Sequence, residues 1–187
     1  MTEQDAQAVA TISEAVSKIL PALGEDGNRE GLKDTPERVA RMFLEMTTGL
    51  REPAPKITTF DRGNNDQMIT VLDLTYFSNC EHHLVPFFGK VHIGYIPRDR
   101  IAGLSKFGRV VDWFAKRPQI QERLTAQIAD HIIDQIAPLG VIVVVEGMHM
   151  CMAMRGVKKP NHMTITSAIR GTIPKNEFFD LLKLQRG

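Results

Sequence analysis

Both cysteines of this 187-residue sequence stand beside histidines: Cys80 and His83 form a Cys-x-x-His pair with His82 inside it, and His149 precedes Cys151 by two. Thiolate and imidazole are the ligands zinc favours, and a short local pair is the usual half of a zinc site. If Cys80, His83 and Cys151 bind the metal, a fourth position stays open for water, as in a catalytic site. His82 and His149 would then lie beside it as imidazoles able to move protons near neutral pH. A single cysteine among apolar neighbours is more often a buried small hydrophobe, and a lone histidine a satisfied polar residue. The coincidence of both cysteines with histidines argues for a metal. His92, His131 and His162 lack such company and read as structural.

A second constellation is cationic. Lys106, Arg109 and Arg155, joined by Arg38 and Arg41, are donors of the kind a triphosphate requires, although no Walker loop is present. Taken alone, such residues are the ordinary solvated faces of helices. Gln121 and Glu122 supply an amide and a carboxylate, and a carboxylate suits the adjacent ring N–H and amino group of a guanine.

Several elements must hold these groups. Val9, Ile12, Val16 and Ile19 recur at helical spacing over residues 4–20, with Pro21 and Gly24 as terminators. Thr35-Pro36 reads as the start of a helix reaching about Gly49, with Arg38 and Arg41 close together and away from its apolar stripe. Residues 68–77 and 87–97 read as strands broken by the polar SNCEHH segment. Leu104, Phe107, Val111 and Phe114 mark a helix that carries Ser105, Lys106 and Arg109 on its opposite arc, and another helix spans about 120–136. The VIVVV run opens a strand expected over 141–155. Its period of two places His149, Cys151 and Arg155 on one face and Met148, Met150, Met152 and Met154 on the other. A last strand falls at 162–170. This order favours an α+β layer with a mostly antiparallel sheet backed by helices. An N-terminal helical segment, 1–50, precedes a single compact unit over 51–187.

Composition narrows the function classes. Apolar residues make up 43% and charged residues 24%, as in ordinary globular proteins. The 23 basic and 22 acidic side chains nearly cancel, which gives no field for nucleic acid or an anionic membrane. No apolar run reaches the roughly 20 residues of a membrane span, and Thr2, Glu3, Gln4 and Asp5 make a polar start, so a cytoplasmic location with reduced cysteines is expected.

The segments CEHHLVPFFGKVHIGYIP, GLSKFGRVVDWFAKRPQIQERLTAQIA and HMCMAMRGV, together with NREGLKDTPERVARM, resemble the signature segments of GTP cyclohydrolase I in order and spacing. The resemblance spans nearly the whole chain. It implies a tunnelling fold, assembly into a toroidal homodecamer with sites shared between subunits, and hydrolysis of GTP to 7,8-dihydroneopterin triphosphate and formate at the head of folate or tetrahydrobiopterin biosynthesis. It places zinc on Cys80, His83 and Cys151, and acid–base roles on His82 and His149, with Ser105 a further candidate at the sugar. Glu122, aided by Gln121, would hold the guanine edge. Ser105, Lys106, Arg109 and Arg155 match triphosphate positions, and Arg38 and Arg41 match cations reaching in from a neighbouring subunit. Two departures stand out: Gly147 where the family usually has alanine, and Pro118 after Arg117 where many members have leucine. Two other classes compete with this reading. A zinc-stapled binding module would need four protein ligands, and a different tunnelling-fold enzyme acting on a purine or pterin would release no formate.

Overall fold

The computed structural model describes residues 2–186, and the chain divides into two compact units at Thr48/Gly49. The N-terminal unit pairs α1 (Glu3–Ala22) with α2 (Thr35–Met46). A capping box opens α1: the Asp5 main-chain N–H donates to Thr2 Oγ1, and the Thr2 N–H to the Asp5 carboxylate. Pro21, expected as a terminator, lies inside the last turn of α1. The chain leaves the helix through Gly24, whose φ of 85° is a left-handed conformation natural to glycine. Pro36 sits in the first turn of α2, where its missing N–H costs nothing.

The second unit contains, in chain order, β1 (Thr59–Asp61), β2 (Ile69–Cys80), β3 (Pro86–Ile96), β4 (Arg100–Ala102), α3 (Ser105–Ala115), β5 (Pro118–Gln119), α4 (Gln121–Ile136), β6 (Gly140–His149), α5 (Met150–Ala153), β7 (Thr164–Gly171) and α6 (Lys175–Arg186). Five strands form one sheet in the order β5-β2-β3-β6-β7, and β1 pairs with β4 separately. Every pairing is antiparallel except β2 with β5 at one edge. The α+β class and the helix-backed antiparallel sheet are as the sequence predicts. Pro118 stands on that edge strand, where a residue without an N–H is tolerated.

The alternation of β6 buries both faces of the sheet. Val141, Val143 and Val145 join Phe107 and Val111 of α3 and Leu124, Ile128 and Ile132 of α4 in the main core. Ile142 and Val144, one residue out of phase, meet Phe178 and Leu182 of α6 on the opposite face. Such two-sided burial is why this stretch reads as a continuous apolar run. Among the described residues, no helix is long and apolar enough to cross a membrane.

Two local features differ from expectation and bear on the site. The polar break expected after residue 77 is strand: β2 continues through Ser78, Asn79 and Cys80, all buried. Ser78 Oγ satisfies itself by donating to the Ala115 carbonyl at 2.7 Å. The long strand expected over 141–155 stops at His149, and the chain then makes the short helical turn α5. Cys151 and Arg155 therefore do not share a strand face with His149. A helical turn carries the second thiol instead.

The centre of the sheet is narrow where β3 passes β6. Gly89 opposes Gly147, and a Cβ on Gly89 would come 1.9 Å from the Glu146 carbonyl oxygen, a main-chain atom that cannot move alone. Gly89→Ala is expected to destabilise the protein by about 3 kcal/mol through overpacking, lowering the thermal midpoint by roughly 6–12 °C for a chain of this size. A midpoint within about 1 °C of the parent would show that the strands have room to part.

Candidate active site

The β2–β3 connection is tight. The main-chain N–H groups of His83 and Leu84 both donate to the Cys80 carbonyl, at 3.3 and 2.8 Å, and Cys80 N donates to Val85 O at 2.9 Å. Leu84 takes φ 55° to close the turn. This folding brings Cys80 Sγ within 3.8 Å of His83 Nδ1. The α5 turn delivers Cys151 from the next strand but one in the sheet, and one ligand atom from each of Cys80, His83 and Cys151 lies within 4.8 Å of the others. No fourth histidine, cysteine or carboxylate completes the group among the described residues.

The donor chemistry fits a soft divalent cation. Burial pushes the Cys151 thiol above its ordinary pKa, and the adjacent Cys80 sulfur pushes it further. Two neighbouring sulfurs resist becoming anionic together unless a cation joins them. Zinc suits two thiolates and an imidazole, and three protein ligands leave one position open. Neither cysteine is in a disulfide.

Beside this group lies a cleft of about 220 Å³ whose walls include Cys80, Cys151, His82, His149, Gln121 and Glu122. The two histidines differ in setting. His82 is 65% exposed, with Nδ1 3.7 Å from Cys80 Sγ and Nε2 3.9 Å from Glu81. Arg123 grips that same Glu81 and draws its carboxyl below the ordinary range. His149 is half-buried and stacked flat on Phe87, with ring centroids 4.7 Å apart and planes 4° from parallel. Its Nε2 lies 2.8 Å from Gln121 Oε1. Desolvation holds the His149 pKa below the usual value, the neighbouring His162 lowers it further, and Glu122 opposes both.

Gln121 begins α4 yet is buried, and its amide is engaged within the protein, with the nitrogen on Val145 O, Thr164 O and Thr166 Oγ1. Glu122, the next residue, is exposed in the first turn of the helix, where the helix dipole favours a carboxylate. The glycine at 147 has a spatial reason: a Cβ there would lie 2.2 Å from Gln121 Oε1 and 2.6 Å from the Tyr76 hydroxyl. The residue marks a close approach of the side chains behind the cleft.

The cations are distributed unevenly. Arg155 Nη1 donates to His83 Nε2 at 2.8 Å, next to the thiols. Ser105, Lys106 and Arg109 are not among the walls of the cleft. It is the C-terminal end of α3 that meets β2, through Ser78 and Ala115. Ser105 begins the same helix, about 15 Å along its axis at 1.5 Å per residue. Arg38 and Arg41 lie on α2 in the N-terminal unit, each paired with a carboxylate one turn earlier, Asp34 at 3.3 Å and Glu37 at 2.6 Å. His162, read as structural, touches the site: its Nε2 accepts from the His149 main-chain N–H at 3.3 Å, and its Nδ1 donates to Lys159 O. No sequence spacing marked that contact. His92 and His131 are away from the cleft walls, buried beside Glu146 and bonded to Pro55 O respectively.

Comparison with known proteins bears on this arrangement. A family model described as GTP cyclohydrolase I matches residues 12–183. The GTP cyclohydrolase 1 of Carboxydothermus hydrogenoformans is 57% identical over 159 residues, covering 84% of this chain and 83% of that protein. That of Lysinibacillus sphaericus is 54% identical over 168 residues, 89% of each chain. That of Bacillus subtilis is 54% identical over 162 residues, 86% of this chain and 85% of the other.

Proposed function

The chain belongs to the GTP cyclohydrolase I family, and on that premise we propose that its cleft performs the family reaction at a zinc centre held by Cys80, His83 and Cys151. The enzyme converts GTP to 7,8-dihydroneopterin triphosphate and formate, and its sheet with backing helices is the tunnelling fold. The observation that carries the proposal is the meeting of two thiols and an imidazole within 4.8 Å at the edge of a cleft that also holds an imidazole and a carboxylate.

Bound there, zinc supplies the Lewis acidity that makes water nucleophilic near neutral pH. Glu122, exposed at the cleft wall, accepts the ring N–H and amino group of guanine. His149 gives a proton to the imidazole-ring nitrogen of the purine, which makes the carbon between the two nitrogens electrophilic. One water adds to that carbon and the ring opens to a formamide; a second water splits the formamide, so that both C–N bonds are broken and the carbon leaves as formate, and the later ring closure gives one water back. His82, at the exposed side, moves protons during the ribose rearrangement that precedes closure onto the freed amine, with the Ser105 of a neighbouring copy as its companion.

Arg155, bonded to His83 beside the two thiols, is the cation that this chain brings to the ligand group, and it is assigned to the triphosphate. The distance of the start of α3 from the cleft supports a homo-oligomer, a decamer by family analogy, in which Ser105, Lys106 and Arg109 serve a neighbouring copy. Arg38 and Arg41 are assigned the same duty. We place the enzyme in the cytoplasm.

Formate release from GTP by freshly purified protein, with ultraviolet detection of the pterin, tests the zinc assignment. Stoichiometric formate is expected, lost with a zinc chelator and restored by added zinc. Metal-replete protein that releases none would end the reading.

A further inference from the structure

We propose that Gln121 is a positioning residue that holds the neutral imidazole of His149 in its Nε2–H form and leaves the bare Nδ1 facing the substrate, as the nitrogen that takes up a proton from water and passes it on. This role rests on the reading of His149 as a proton donor given above, and it replaces the expectation that Gln121 reads the guanine edge.

The hydrogen-bond chain has one self-consistent direction. Gln121 Nε2 lies 3.0 Å from the carbonyl oxygens of both Val145 and Thr164. Carbonyl oxygens only accept, so the amide NH2 must face them; the flipped amide would set three oxygens against one another with no hydrogen between them. Gln121 Oε1 is thereby turned to His149, and at 2.8 Å from Nε2 it can only accept. The hydrogen of the neutral ring therefore sits on Nε2.

The threonines agree. Thr125 Oγ1 donates its single hydrogen to the Gln121 main-chain carbonyl at 2.7 Å. In its 2.6 Å contact with Thr166 Oγ1, Thr125 must then accept and Thr166 donate. That leaves a lone pair on Thr166 Oγ1 at 3.1 Å from Gln121 Nε2, able to share one of the two amide hydrogens with a carbonyl. Gln121 is 1% exposed and Thr125 likewise, so water does not compete for these bonds.

The ring itself has little freedom. Phe87 covers one face, and the His149 main-chain N–H is tied to His162. With Nε2 directed at Gln121, Nδ1 is the nitrogen that remains for the cleft lined by both residues. A substrate could take the Gln121 amide only by breaking its bonds to two main-chain carbonyls. Recognition of the guanine edge accordingly falls to Glu122, which is exposed beside it.

Long-range proton–nitrogen correlation spectra of zinc-loaded protein, labelled with ring-15N histidine and recorded where the imidazole is neutral, read this directly. His149 is expected to show a proton-bearing Nε2 and a bare Nδ1. Gln121→Met should lower kcat for formate release about 10- to 100-fold, as loss of an orienting partner does elsewhere, with KM for GTP within about two-fold. An Nδ1–H ring in the parent protein overturns the proposal, and so does a variant whose KM rises while kcat holds, which would make Gln121 a guanine ligand. The parent spectrum decides even if the variant fails to fold. An Nε2–H ring in zinc-loaded protein that releases no formate would instead sink the reaction and leave the hydrogen-bond chain standing.

Discussion

Cys151→Ser is expected to abolish formate release while leaving the fold in place. Serine keeps the shape of the side chain but its hydroxyl does not ionise near neutral pH, so it offers zinc no soft anion. Cys80 and His83 would remain as a two-ligand remnant, short of the three or four protein ligands that zinc sites use. Loss of a mere orienting partner costs roughly 10- to 100-fold in metal affinity or activity, so removal of a direct ligand should exceed about 10³-fold. The fold should tolerate the change, because Cys151 lies on the short α5 turn, half-buried and outside the strands that form the core. Zinc content after dialysis, formate release and far-ultraviolet circular dichroism measured together separate the possibilities. A folded variant that keeps a full complement of zinc, with a rate within about ten-fold of the parent, would remove Cys151 from the ligand set.

That prediction depends on a feature the sequence conceals. The run from Met148 to Met154 alternates Met with His, Cys and Ala, and it satisfies a period of two as well as the start of a helical turn. Nothing local chooses between them. The choice is tertiary, since β7 pairs with β6 only as far as Gly147 and β3 only as far as His149. The strand therefore runs out of partners where α5 begins. The Cys-x-x-His pair, by contrast, was legible because a short turn makes its geometry, with the Cys80, His83 and Leu84 N–H groups all bonded within it and only the Glu81 N–H reaching out, to Gln119 O. The VIVVV strand and the apolar stripes of α3 and α4 were legible because their periods coincide with the faces they bury.

The polar relationships were the least visible. Ser78 and Asn79 look like loop residues until Ala115 supplies an acceptor for Ser78 from 37 positions away. Gln121 looks like a surface residue in the first turn of a helix, and only the arrival of β6 and β7 beside it supplies the carbonyls that bury its amide. The place of Ser105 relative to the cleft was hidden for a related reason. Helical spacing correctly sets Ser105, Lys106 and Arg109 on one arc, but it cannot say which end of the helix meets the strand carrying Cys80.

The two cleft histidines should separate on mutation. His149→Ala is expected to slow single-turnover formate release by about 10²- to 10⁴-fold, the range of a positioned general acid, with zinc content unchanged because His149 is not in the ligand group. Stacking on Phe87 and the bond to Gln121 fix its ring, and desolvation makes its protonated form a stronger acid than an exposed histidine would be. Water entering the space left by alanine could match neither the acidity nor the aim. His82→Ala should change the formate step by less than about ten-fold, because solvent reaches a side chain that is 65% exposed and can carry its protons. Its cost should appear later, as a ring-opened intermediate that accumulates before the pterin absorbance rises. Quenched-flow measurement of formate and pterin from the same samples reads both steps. If His82→Ala blocks formate while His149→Ala releases it at nearly the parent rate, the roles are reversed, and burial is not what selects the proton donor in this cleft.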